Sequence, residues 1–455
     1  MSPSDARMRH AMRKQDRFYT LWMRGSEPSP VKIIGAYTEY LSASDQSELV
    51  LQRLSANSIK IVAMTVSETG YCLDADGELD ADLEAVQADV EMLQSEGSEF
   101  RTAAGFIVAA AARRAETGAC PIAVLSCDQI PRNGDKAKTS VLSMAELAFG
   151  TEFRETLEQT WTFPNSVLDR VLIPTTEELQ QELMLKFGID DRRPVICENF
   201  SRWVLEARFP SGRPHFEGVL GNSCLLMEDT SNFEMMQLAI FDGAQQVIAY
   251  PGIILGHERL CDAFADPQLR VFLDKYLAEV MQHAVSASPN MDIQTFKQEA
   301  MSRLENSEVP LQLVAENSSQ RLKDKCMRVV PKLPKYDGPT VRPMGVLLAC
   351  YARYLALSTS DVETTYSHAP DERLEEIMAL ASALWTATEA GMAAESVQKP
   401  IFEASQFIKG VFGEDIDLSE TMLEEAFVSM VMAIYSQKVA LTLEHFGMAP
   451  PPPAE

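Results

Sequence analysis

Gln237, Asp242 and Gln245 stand on one stretch, Phe233-Glu-Met-Met-Gln-Leu-Ala-Ile-Phe-Asp-Gly-Ala-Gln-Gln-Val-Ile-Ala-Tyr-Pro-Gly252, whose pattern predicts a helix. At about 100° per residue the three fall within an arc of about 140°, so one cleft can meet them all. A side-chain amide does not titrate, which leaves Asp242 as the only candidate base, with Gln237 and Gln245 as hydrogen-bond donors. The plainer alternative is that all three are simply polar helix residues.

Three other segments carry chemistry-bearing side chains. Glu68 lies in Thr65-Val-Ser-Glu-Thr-Gly-Tyr71 and, read alone, is a strand-end cap or a solvated carboxylate. Asp128, Gln129 and Asn133 lie in Ser126-Cys-Asp-Gln-Ile-Pro-Arg-Asn-Gly-Asp135, a loop between a strand and a helix. Asn165 lies in Thr162-Phe-Pro-Asn-Ser-Val-Leu-Asp-Arg170, and Phe-Pro-Asn alone reads as a turn. The six His are far apart in sequence and the eight Cys include no C-x-x-C, so no metal site and no disulfide framework is expected. The chain has no G-x-S-x-G, HExxH or P-loop.

The elements that must position these residues alternate in the first half. Residues 31–37, 59–66, 122–126 and 195–197 read as strands, and 80–94, 104–115 and 136–149 as helices, the pattern of an α/β domain. From about Asn222 onward the periodicity becomes helical, with helices expected over 233–248, 267–284, 292–305, 311–327, 342–357, 371–390, 398–410 and 419–444. Pro331 to Pro343 reads as a loop and 448–455 as a disordered Pro-rich tail. The expected domains are therefore 1–221, α/β, and 222–447, all-helical. Two domains also suit a chain of 455 residues.

A formal net charge of -26 argues against nucleic acid and anionic membrane surfaces as partners. No run approaches the roughly 18 apolar residues of a membrane span. Reduced cysteines fit a cytoplasmic protein. The Met-rich stretch from Met227 to Met236 reads as core filling rather than an interface.

Taken together, residues 126–135, 162–170, Pro194-Val-Ile-Cys-Glu-Asn-Phe-Ser-Arg-Trp203, Phe209-Pro-Ser-Gly-Arg-Pro214 and the 233–252 helix resemble the long-chain polyol dehydrogenases. This is the family of mannitol 2-dehydrogenase and fructuronate reductase. The resemblance implies a Rossmann-like α/β domain followed by an all-α domain, NAD as cofactor, no metal, and oxidation of a polyol to a ketose. It also implies roles for individual residues. Asn165 matches an Asn that assists at the reacting carbon. Glu68 matches an acid near the site entrance, and Asp128, Gln129 and Asn133 lie near the cofactor. Gln129 stands where the family usually has Asn, and Arg132-Asn133 stands in its His-Asn.

At 237, 242 and 245 the family carries Lys, Asn and His. Gln237 replaces a titratable base, and Asp242 replaces a neutral donor to the alkoxide. The chain also has no G-x-G-x-x-G after a strand, and Gly218-x-x-Gly221 and Gly410-x-x-Gly413 are simple turns. In the resembling family that loop belongs to a first strand–turn–helix upstream of where Met1 falls. The expectation is an incomplete Rossmann-like domain whose sheet must close up differently, unless the sequence as given starts late.

The leading functional expectation is a polyol dehydrogenase-like protein with lost or strongly impaired catalysis. One alternative is a working NAD(P)-dependent polyol or sugar-acid oxidoreductase with a rewired site. The other is a non-catalytic protein that binds a small polyol, a sugar acid or a partner.

Overall fold

The computed structural model describes residues 3–25, 30–74, 76–288, 291–333, 338–356, 367–394, 396–413 and 422–447. The chain divides into two compact units at Phe233/Glu234. The expected Pro-rich tail, 448–455, lies outside the described residues.

In the first unit the strands form three small sheets. β1 (Tyr19–Arg24) pairs antiparallel with β2 (Val31–Ile34) and parallel with β7 (Val195–Glu198), and β6 (Leu172–Ile173) closes the order β2-β1-β7-β6. β3 (Ile61–Met64) runs parallel to β4 (Ala123–Ser126), with Ile61 opposite Ala123. β5 (Ser166–Asp169), β8 (Arg202–Glu206) and β9 (Cys224–Met227) form the third sheet, in the order β5-β8-β9. β1 thus has neighbours on both edges, whereas β3 has a strand partner only in β4 among the described residues.

β4 is the centre of the core. Ala123, Val124, Leu125 and Ser126 are all buried, which is why this segment is a short apolar run without alternation. The helix Ala103–Thr117 covers it with Phe106, Ile107, Val108, Ala110 and Ala111. Its start is fixed by Thr102, whose hydroxyl accepts from Gly105 N–H while donating to Asp89. Its last turn holds Arg114, which is 2 % exposed and donates to the carbonyls of Leu54, Ala56, Ile59 and Cys120.

The helix Asn133–Phe149 follows β4 and begins under the Phe163–Asn165 segment. A Cβ at Gly134 would stand 2.5 Å from the carbonyl carbon and oxygen of Pro164, so only glycine permits this approach.

The second unit is helical. Its central element, Gly243–Ile254, is buried at nearly every position, and Tyr250 packs against Tyr351 and Tyr354 at ring distances of 4.9 and 5.5 Å. Around it pack Pro267–His283, Ile293–Glu305, Ser318–Lys325, Gly338–Ala356, Leu374–Ala394, Gln398–Phe412 and Leu423–Gly447. Asp266 and Asp292 cap the first two of these by accepting backbone N–H bonds. No described helix is long and apolar enough to cross a membrane.

Several expectations change. β9 pairs with β8, so the first unit extends past the expected 221/222 boundary to Phe233. The expected 233–248 helix spans Ser231 to Ile254 and is interrupted by a π-helical turn, Gln237–Asp242. The expected 311–327 helix is two pieces, Leu311–Val314 and Ser318–Lys325. Part of the expected 331–343 loop is helix, because Gly338–Ala356 begins early with Pro339 in its first turn, where a missing N–H costs nothing.

Candidate functional site

In the first unit, Asp128, Asn133 and Asn165 form one hydrogen-bonded frame at the carboxyl ends of β3 and β4. The Asp128 carboxylate accepts from Val66 N–H at 3.1 Å, Ser67 N–H at 3.0 Å and the Tyr71 hydroxyl at 2.6 Å. Burial, reinforced by that carboxylate, pushes the Tyr71 phenol well above its ordinary value, so it remains a donor. Ser67 takes φ 62, a left-handed conformation that Asp128 stabilises by binding its N–H.

Asn133 is 1 % exposed. Its Nδ2 donates to the carbonyls of Asp128 and Ser166, both at 2.8 Å, and its Oδ1 accepts from Ser166 N–H at 3.0 Å. Asn165 Oδ1 accepts from Gly134 N–H at 2.9 Å and Asp135 N–H at 3.2 Å, capping the helix that starts there. Its Nδ2 donates to Asp135 Oδ1 and Glu206 Oε1, both at 3.3 Å. Both amide hydrogens and both lone pairs are thereby used, which gives Asn165 a framework role where the family resemblance implied a contact with the reacting carbon.

Glu68 and Gln129 lie on the exposed rim of this frame. Glu68 pairs with Lys136 at 2.9 Å, and Gln129 Nε2 donates to the Leu168 carbonyl at 3.2 Å. Four expected cofactor positions and Asn165 are thus brought together, at the end of the strands where open α/β sheets bind ligands. Tyr71, Ser166 and Glu206 complete the frame. No motif singled them out, because only the fold brings them to it.

In the second unit, the π turn changes the geometry of the three helix residues. The Gly243 N–H reaches the Leu238 carbonyl, an i to i+5 bond, so a turn closes every five residues here. Positions 237 and 242 therefore stack one turn apart, closer to a common face than the arc expected of an α-helix. Gln237 is buried, while Asp242 and Gln245 remain partly accessible.

Neighbouring helices hold the turn. The Tyr276 hydroxyl donates to the Ala239 carbonyl at 3.4 Å, and the Arg303 guanidinium lies 3.5 Å from the Phe241 ring centroid. Lys325, at the end of Ser318–Lys325, reaches Asp242 with Nζ 3.1 Å from Oδ2. Sequence reading missed Lys325 because no motif connects it to residue 242. Beside it, burial pushes the Cys326 thiol up to about 12, so it is a neutral thiol rather than a nucleophile. Among the described residues no three His, Cys, Asp or Glu side chains gather as a metal would require.

A nucleotide-binding α/β unit followed by a mostly helical one, with polar frames in each, defines a dehydrogenase-type architecture. Residues 3–218 match the mannitol dehydrogenase Rossmann domain and residues 229–412 the mannitol dehydrogenase C-terminal domain. The chain belongs to the mannitol dehydrogenase family.

Among its relatives, mannitol 2-dehydrogenase of Pyricularia oryzae is 29% identical over 433 residues, covering 94% of this chain and 82% of that protein. Mannitol 2-dehydrogenase of Cereibacter sphaeroides is 31% identical over 362 residues, covering 77% and 72%. Pseudomonas fluorescens mannitol 2-dehydrogenase, solved as a ternary complex with NAD and D-mannitol, superposes with a TM-score of 0.81 at 26% identity. That alignment covers 98% of this chain and 86% of the other.

Proposed function

We propose that this chain is a dinucleotide-binding member of the mannitol dehydrogenase family whose polyol oxidation is lost or strongly impaired. The observation that carries this reading is the face of the π turn. It presents an amide at 237, a carboxylate tied to Lys325 at 242, and an amide at 245.

When bound, NAD supplies the hydride acceptor that the family reaction needs. Glu68, Asp128, Gln129 and Asn133 would lie against it, since their frame ends the parallel β3/β4 pair and precedes a helix N-terminus, a geometry suited to a dinucleotide. The chain's own residues would then have to take the hydroxyl proton and stabilise the alkoxide. Gln237 cannot take a proton, and an ionised Asp242 opposes the developing negative charge. Loss of a general base costs about 10²–10⁴ in rate and loss of an oxyanion donor about 10²–10³, so the two together remove at least about 10⁴.

One observation favours a second reading. The π turn stacks Gln237 on Asp242, an arrangement in which Asp242 accepts the proton and the amide donates to the alkoxide. NADH fluorescence titration of the full chain, followed by turnover assays with mannitol, fructose and fructuronate, separates the two. Saturable NADH binding without turnover supports impairment. Turnover at rates ordinary for dehydrogenases overturns it.

A further inference from the structure

Lys325 is absent from any motif, yet it contributes the cation nearest the substituted positions. Its pairing with Asp242 has a consequence for the class of ligand this face accepts, an argument that rests on the reading that a ligand meets the 237/242/245 face. The side chains of Asp242 and Lys325 are 17% and 21% exposed, so the pair is mostly enclosed but still reachable.

The two charges cancel, and the remaining groups at 237 and 245 are neutral amides. One Lys325 proton is directed at Asp242 Oδ2, which leaves two ammonium protons, the other carboxylate oxygen and the Gln245 amide for a ligand. Closely spaced donors and acceptors with no net charge are suited to hydroxyl groups, each of which donates once and accepts twice. A ligand carboxylate would have to compete with Asp242 for Lys325 while approaching a like charge. A ligand ammonium would meet the same conflict with Lys325.

We propose that the Asp242–Lys325 pair is a specificity-determining element that selects neutral polyhydroxy compounds and rejects carboxylate- and ammonium-bearing analogues. Removing one charge should turn the selection in a defined direction. Asp242→Asn leaves a lone ammonium and favours acids. Lys325→Gln leaves a lone carboxylate and favours amines.

The test is calorimetric titration of the full chain with D-mannitol, D-gluconate and D-glucamine, in the presence and absence of NADH. Wild type is expected to bind mannitol at least about tenfold more tightly than either charged probe, since like-charge juxtaposition costs more than the roughly 1.4 kcal/mol of one decade. D242N should shift the gluconate-to-mannitol ratio by at least about tenfold toward gluconate, and K325Q should shift the glucamine ratio likewise. The charge swap D242K/K325D retains neutrality and should retain the mannitol preference, so it covers the case in which a single variant misfolds.

A ranking that is flat, or unchanged across the variants, overturns the proposal, as does wild type that binds none of the three probes. Failure of NADH binding with the ranking intact overturns the dinucleotide reading and leaves this one standing.

Discussion

Gly243→Ala tests whether the π turn is held as described. An ideal Cβ at Gly243 would lie 2.6 Å from the Tyr276 hydroxyl oxygen, a separation that real Cβ atoms essentially never show. Tyr276 is 1% exposed and its hydroxyl binds the Ala239 carbonyl, so it has little room to retreat. Overpacking of this kind costs about 1–3 kcal/mol, partly offset by the roughly 1 kcal/mol that alanine gains over glycine within a helix. The expected net loss for G243A is about 1–2 kcal/mol.

Tyr276→Phe alone removes one hydrogen bond, at a cost of about 0.5–1.5 kcal/mol. With the hydroxyl gone, the nearest atoms to the new methyl are the Leu238 carbonyl oxygen at 3.2 Å and the Tyr276 ring carbon at 3.4 Å, both tolerable. In the Y276F background G243A should therefore be neutral or stabilising by up to about 1 kcal/mol. The coupling, about 2 kcal/mol, far exceeds the additivity error of roughly 0.5 kcal/mol for independent sites. Urea denaturation followed by far-UV ellipticity on the four proteins of the cycle measures it. An equal cost of G243A in both backgrounds, or a stabilised single mutant, refutes the packing of Tyr276 against the turn.

Asn165→Ala should lower stability by about 1–3 kcal/mol, because it orphans the Gly134 and Asp135 N–H groups, while a residue that only touched substrate would leave the denaturation midpoint unchanged. Arg114→Met should cost at least about 3 kcal/mol by stranding four carbonyls, measurable in the same denaturant titration, and a loss below 1 kcal/mol would contradict the role assigned to it. Burial opposes ionisation of Asp371, but bonds from Ser319 N–H, Arg373 N–H and the hydroxyls of Ser318 and Ser319 outweigh it and lower its carboxyl below the ordinary value. Its contribution is thus complete above the ordinary carboxyl value and is lost as pH falls through the lowered one. D371N should lower thermal stability at neutral pH and flatten its decline in acid, and parallel pH profiles for the two proteins would show that Asp371 is not the group involved.

Sequence reading found the parts of the fold that carry strong local pattern. β4 was legible because all four of its residues are buried and apolar or small, and the long C-terminal helices because their apolar faces repeat at helical spacing. β5 was not, since Ser166-Val-Leu-Asp169 has polar ends that only cross-strand pairing with Arg202–Glu206 explains. β9 lies just past the point where helical character begins, which moved the expected boundary too early.

The site was legible at Asp128, Asn133 and Asn165, whose loop motifs mark them. It was not legible in geometry. A π turn is a shift of the backbone bond from i+4 to i+5 and has no residue signature, so 237 and 242 seemed farther apart around the helix than they are. Lys325 and Glu206 reach their partners only through tertiary packing.

The central claim is that the residues at 237, 242 and 245 disable the family's proton transfer. Steady-state NADH production from D-mannitol at saturating NAD, measured for wild type and for the triple variant Q237K/D242N/Q245H, tests it most directly. Wild type should be at background, and the variant should exceed it by at least about 10²-fold, the lower bound for restoring a general base. Wild-type turnover equal to or above that of the variant, with NADH bound by both, would contradict the account.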